Sequence, residues 1–269
     1  MKVSHEMPLS MLNDCRFSIF KINDYDYFLI HQLLKYNEYK ELFKLSKQAN
    51  RVQILDNSAY ELGESFNMGD FAEAVKEFEP TEYLVPDCFN DYDKNIELFD
   101  DWMSKYSNLK GIKIVTIHGK TYQELVNAYK YFDKHDVKIA FNFAEGIYKE
   151  MGDGNPVEGR RKAIFNMLND GIININKKHH LLGCTLAQEF AYYKNLGFIE
   201  TIDTSNPIVA GFENLKYPID KKPTTNVDVY HCINISDEIY YNIMYNLNEF
   251  RKIIRVENEN SFIWGAMCW

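Results

Sequence analysis

Asp56, Asp87 and His118 stand thirty-one residues apart, and each closes a short apolar run. Asn142, Cys184 and Asp203 close three more such runs. A side chain that ends a parallel strand projects into the mouth formed by the strands' carboxyl ends. These six residues should therefore converge. Taken singly, an aspartate in this position is often only a turn former or a helix cap. Three carboxylates in one mouth admit two chemistries. They can hold a hard cation through oxygen, or they can divide into nucleophile, acid/base and recognition roles, as in displacement at a sugar carbon.

The elements that must position them alternate regularly. Residues 52–55 read as a strand ending at Asp56, and Asn67 can cap a helix through Phe71, Val75 and Phe78 that stops before Pro80. Residues 83–85 form the next strand, and Asn90 is placed to cap the helix carrying Ile96, Phe99 and Trp102. Residues 112–117 are a β-branched strand ending at His118, followed by a Thr121/Glu124 capping box. Residues 137–141 are a strand ending at Asn142. Asn155-Pro156-Val157-Glu158 then opens a helix with a cap and a first-position proline.

From His180 to Pro207 the order is strand, helix, strand: Thr185 is read as the cap, Gly197 as the left-handed stop, and Asp203 as the end of the second strand. Residues 17–22 and 27–30 read as one or two strands and 33–47 as a helix. Residues 227–230 read as a final strand and 237–254 as a helix. Alternation of this kind calls for a parallel sheet. The expectation is a single-domain (β/α)₈ TIM-type barrel over residues 1–269, with a less regular closure from about 216 and an open doubly wound sheet as the alternative.

The 269 residues, 46% of them hydrophobic, suffice for one large core. A net charge of −9 argues against non-specific coating of nucleic acid, yet leaves room for a local basic track. Candidates are Arg160, Arg161 and Lys162, then Lys177 and Lys178, with Lys216, Lys221, Lys222, Arg251, Lys252 and Arg255 beyond; such runs are usually solvated faces. Five scattered cysteines, Cys15, Cys88, Cys184, Cys232 and Cys268, make neither a disulfide framework nor a zinc motif. With no signal core and no membrane-length apolar stretch, a cytoplasmic location is expected. The apolar tail 261–269 should pack on the barrel or on a second subunit, so a homodimer is an admissible assembly. His5, His31, His135, His179, His180 and His231 read as structural or surface histidines.

The stretch Leu182-Gly183-Cys184-Thr185, with Asp203 four residues before Pro207, resembles the tRNA-guanine transglycosylase family. There, a strand ending Leu-Met-Gly-Val-Gly and a strand ending in Asp carry the nucleophile. Leu55-Asp56-Asn57-Ser58-Ala59-Tyr60 is similar to the family's Asp-Ser-Gly-Gly-Phe, Val85-Pro86-Asp87-Cys88 to its Leu-Asp-Glu-Cys, and Thr116-Ile117-His118-Gly119 to its Val-Gln-Gly. The resemblance spans about residues 50–210. It implies base exchange in which Asp203 attacks C1′ of a guanosine unit and Asp56 handles protons as general acid/base. Asp87 would accept hydrogen bonds from the base, which His118, Asn142, Gly183 and Cys184 would help to bind. Arg160, Arg161, Lys177 and Lys178 are the candidates for the nucleic-acid backbone.

This chain departs from the family at three points. His118 stands for glutamine, and Asn142 for a glycine-rich segment against the base. The C-terminal Cys-x-Cys-x-x-Cys…His zinc element is missing, so no metal and no other cofactor is expected. That absence makes the short, often viral relatives that install a 7-deazaguanine such as preQ0 in DNA the nearer match. The implied partners are DNA rather than tRNA and a 7-deazaguanine base, with no membrane; for a viral chain the location would be the host cytoplasm. Competing readings are tRNA exchange, a non-catalytic protein that binds a nucleobase or nucleotide or blocks a partner, and a metal-dependent hydrolase using the three aspartates.

Overall fold

Eight parallel strands make one sheet: β1 (Lys2–His5), β2 (Asp26–Leu29), β3 (Gln53–Asp56), β4 (Glu82–Leu84), β5 (Ile112–Ile117), β6 (Lys138–Phe141), β7 (His179–Leu181) and β8 (Ile199–Thr204). The computed structural model describes residues 1–143, 145–224 and 233–254. The strands are ordered β1-β8-β7-β6-β5-β4-β3-β2, with every neighbour parallel. The two terminal strands meet as well. Asp24 N–H reaches Val3 O at 2.9 Å, and Tyr27 N–H reaches Ser4 Oγ at 3.1 Å. The sheet is thus a nearly closed (β/α)₈ barrel.

Strand alternation sorts the side chains into two layers. Leu55, Val115, Ile117 and Ile139 join the large core between sheet and helices. Tyr25, Tyr27, Leu29, Ile54, Leu84, Ile114 and Ala140 pack together around the barrel axis. At the amino end of that axis, Lys138 Nζ lies 2.6 Å from Glu82 Oε2 and 3.0 Å from Glu200 Oε2. The helix caps follow the local rules. Asn67 accepts from Gly69 N and Asp70 N, Thr121 from Glu124 N, and Asn155 from Val157 N and Glu158 N. Among the described residues, no helix is long and apolar enough to cross a membrane.

Several elements differ from expectation, each for a local reason. Residues 19–22 are helical, because Ile22 joins Met7, Met11, Ile208 and Ile243 in an apolar cluster away from the sheet. The strand that opens the barrel is Lys2–His5, paired with β8. Asp91, not Asn90, caps the helix Tyr92–Tyr106. Thr185 caps nothing. Asn206 Nδ2 holds the carbonyls of Cys184 and Thr185 at 3.3 and 3.0 Å, and only a six-residue 3₁₀ turn, Ala187–Tyr192, follows. The left-handed glycine of this stretch is Gly183, at φ +61°, rather than Gly197. The helix Asp237–Ile254 forms as expected and packs Phe250 against His5 and Phe190. The expected strand at 227–230, the tail 261–269, and Cys232, Cys268, His231 and Arg255 lie outside the described residues.

Candidate active site

The carboxyl ends of the strands surround a cavity of about 220 Å³. Asp56, Asp87, Asn142, Gly183, Cys184 and Asp203 all line it, as their strand-end positions require. Glu6, Tyr27, Tyr60 and Lys222 line it too. The volume falls below the roughly 300 Å³ at which pockets for drug-sized ligands begin.

Asp203, only 8% exposed, is held from β7. His180 Nε2 lies 2.9 Å from its Oδ1, and Gly183 N–H points at Oδ1 and Oδ2 from 3.2 and 3.3 Å. A carboxylate can only accept, so His180 Nε2 donates to it, while Nδ1 lies 2.8 Å from the Thr201 hydroxyl. This contact depends on a bulge. The register shift between His179 and His180 sets Thr201 opposite His180, with Asp203 two residues further along the same face. Glu200, the extra residue, turns to Lys138.

Asp56 has different donors. Tyr27 OH donates to its Oδ2, and Ser58 N–H to its Oδ1 at 2.9 Å, in a turn that puts Ser58 at φ 59°. Burial pushes the Asp56 carboxyl up to about 7 against the pull of those two donors, and the charges of Asp203 and Asp87 add to the rise. The Tyr27 ring stacks on the His180 ring, 6.0 Å between centroids and 8° from parallel. The two carboxylates therefore sit on one aromatic platform.

Asp87 is fixed from behind. Its Oδ2 lies 2.8 Å from His118 Nε2, while its Oδ1 accepts from Asn57 Nδ2 and Ser65 Oγ, both at 3.1 Å. Burial alone would raise this carboxyl; the hydrogen bond and the charge of His118, together with the hydrogen bonds from Asn57 and Ser65, overcome it and hold the group below its ordinary range. His118 is a correction to expectation. It is fully buried behind the cavity wall, with Asp87 on one ring nitrogen and Asn142 Nδ2 3.3 Å from the other. It contacts Asp87 and Asn142 from behind and does not itself line the cavity. Cys184 is buried, and burial pushes its thiol up, which leaves a neutral S–H on the wall.

The expected basic track does not assemble. Arg160 is fully buried, its guanidinium on Glu189 and on the carbonyls of Asn142, Leu182 and Gly183, so no phosphate can meet it. Lys177 donates to Asp133 O and His135 O and precedes β7. It therefore lies at the amino end, away from the cavity, as does its exposed neighbour Lys178. Arg161 pairs with Glu158 at 2.6 Å and covers the Tyr192 ring. Among the described residues, the cation that does line the cavity is Lys222, 3.0 Å from Tyr60 OH and 4.2 Å over the Phe143 ring.

Sequence reasoning missed His180 and Tyr27. Both carried a signal. Each lies two residues before a residue of the axial cluster, His180 before Leu182 and Tyr27 before Leu29. Among the described residues no three His, Cys, Asp or Glu side chains gather as metal ligands would, since Asp56, Asp87 and Asp203 each have separate donors.

Fold and site together define a (β/α)₈ barrel with a small carboxylate-lined pocket at the carboxyl ends of its strands. No family model matches the chain, and no curated protein matches it.

Proposed function

We propose that the protein is a base-exchange glycosyltransferase that replaces guanine in a polynucleotide, most closely DNA, with a 7-deazaguanine through an aspartyl-glycosyl intermediate. The observation that carries this reading is the pairing of two differently held carboxylates in one base-sized cavity. Asp203 is fixed by His180 and Gly183, and Asp56 is raised to about 7, the range a proton shuttle needs.

Asp203 Oδ2, which takes only the longer Gly183 contact, attacks C1′ of the bound nucleoside unit. The C1′–N9 bond breaks, its electron pair leaves with the base, and the protonated Asp56 carboxyl donates the proton that neutralises it. An ester between Asp203 and the sugar remains. The incoming 7-deazaguanine loses its N9 proton to the Asp56 carboxylate, its N9 attacks C1′, and Asp203 departs as the free carboxylate. Asp87, an acceptor held by His118, Asn57 and Ser65, takes N–H donors of either base. A duplex would have to present the guanine flipped out, or as a single strand, for so small and recessed a pocket to reach it.

The test is exchange of radiolabelled guanine out of DNA and, in parallel, out of tRNA, in the presence of preQ0. Release that depends on Asp203 supports the reading. Binding of base without release would favour a non-catalytic binder.

A further inference from the structure

We propose that Arg160, paired with Glu189, is a positioning residue that clamps the Leu182–Gly183 peptide so that its N–H is presented to Asp203. The catalytic consequence rests on Asp203 being the nucleophile; the clamp itself does not.

Arg160 lies on the buried stripe of the helix Pro156–Asn169 with Val157, Ala163, Ile164 and Met167. Its Nε and Nη2 reach Glu189 Oε1 and Oε2 at 2.6 and 2.9 Å. The remaining N–H groups go to main-chain carbonyls at the ends of β6 and β7: Asn142 O at 3.1 Å, Leu182 O at 2.7 Å and Gly183 O at 3.2 Å. Both side chains are fully buried. A buried ion pair is often replaceable by apolar side chains at no loss of stability, so stability alone does not account for it.

Geometry supplies a reason. A peptide unit is planar, and its C=O and N–H point in opposite directions. Arg160 draws the Leu182 carbonyl outward, which aims the Gly183 N–H inward at Oδ1 and Oδ2 of Asp203, 3.2 and 3.3 Å away. A guanidinium on the carbonyl also polarises the peptide and strengthens what its N–H donates. The backbone there favours glycine. Gly183 is at φ +61°, and a Cβ would fall 2.5 Å from Phe143 Cδ2. The cluster thus joins the ends of β6, β7 and β8 through one charged group that never meets the ligand.

The test uses the full chain, ¹⁵N-labelled, and reads the Gly183 amide signal beside the kinetics of base exchange. Removal of its carboxylate acceptor in Asp203→Ala gives the reference shift of that amide. Arg160→Met/Glu189→Leu replaces the pair by apolar groups. Arg160→Lys keeps the charge without the fork, and decides the matter where the double variant does not fold. In either variant the Gly183 amide should move toward its Asp203→Ala position. kcat for exchange should fall roughly 10- to 100-fold while KM for the base changes less than about twofold. An unmoved Gly183 amide, or wild-type kcat in a folded variant, would overturn the proposal. A moved amide in a protein whose wild type exchanges no base would keep the clamp and remove the nucleophile.

Discussion

The two ends of the barrel both carry inward-facing carboxylates, and they treat them differently. At the amino end, Glu82 and Glu200 share the ammonium of Lys138. Burial raises the Glu200 carboxyl, but Lys138 more than offsets it and holds it below its ordinary range. At the carboxyl end, Asp56, Asp87 and Asp203 take imidazole, phenol, amide and main-chain donors. A permanent cation neutralises a carboxylate and makes it part of the structure. Hydrogen-bond donors other than a lysine ammonium leave a carboxylate oriented but still able to attack or to carry a proton. The ends differ first in partner type, a lysine ammonium at one and hydrogen-bond donors of several kinds at the other.

The contrast can be broken from either end, and the largest effect belongs to the mouth. Asp203→Asn should lower base exchange by about 10⁴-fold or more with the fold intact, read by labelled guanine release and thermal melting. Asp56→Asn should cost about 10³-fold in kcat. The half-reactions should diverge with pH: single-turnover guanine release, which needs Asp56 protonated, falls as pH rises through about 7, and capture of the incoming base falls as pH drops through it.

Stability gives the same group an independent signature. A carboxyl raised in the folded state contributes stability that is full below its unfolded value near 3.8 and is lost as pH rises through about 7. Asp56→Asn removes that loss, so the variant should gain on the wild type between pH 4 and pH 8 by up to about 4 kcal/mol in denaturant titrations. At the amino end, Lys138→Met should cost about 3 kcal/mol of stability by stranding Glu82, and leave kcat per folded molecule unchanged. An altered kcat would end the division between the two ends. The smallest effect is expected at a cap remote from both: Asn155→Ala should cost about 1 kcal/mol in the same titration and no activity.

Strand-end acids were legible because period-two alternation and cap signals are local. Asp56, Asp87 and Asp203 fall on one cavity as their spacing implies, and Asn67, Thr121 and Asn155 cap as their sequences imply. What escaped depends on contacts distant in sequence. Residues 17–22 have the composition of a strand, yet a helical cluster with Ile208 and Ile243 claims them. Arg160 sits in a Gly-Arg-Arg-Lys run that looks solvated, although its spacing from Val157, Ala163, Ile164 and Met167 already puts it on the buried stripe; its partner Glu189 lies 29 residues on. His118 stands at the expected strand end but behind the cavity wall, a depth that only its packing against Asp87 and Asn142 sets. The bulge that brings His180 to Asp203 is a property of two strands together, written in neither one.

The central claim is that Asp203 becomes covalently bonded to the sugar, and trapping the intermediate tests it most directly. The protein is incubated with a guanine-containing oligodeoxynucleotide and no incoming base, denatured, digested and sequenced by mass spectrometry. The account predicts a peptide carrying the DNA on Asp203, released when preQ0 is added before denaturation and missing from Asp203→Asn. Base exchange at the wild-type rate in Asp203→Asn, or a DNA adduct on any other residue, would contradict it.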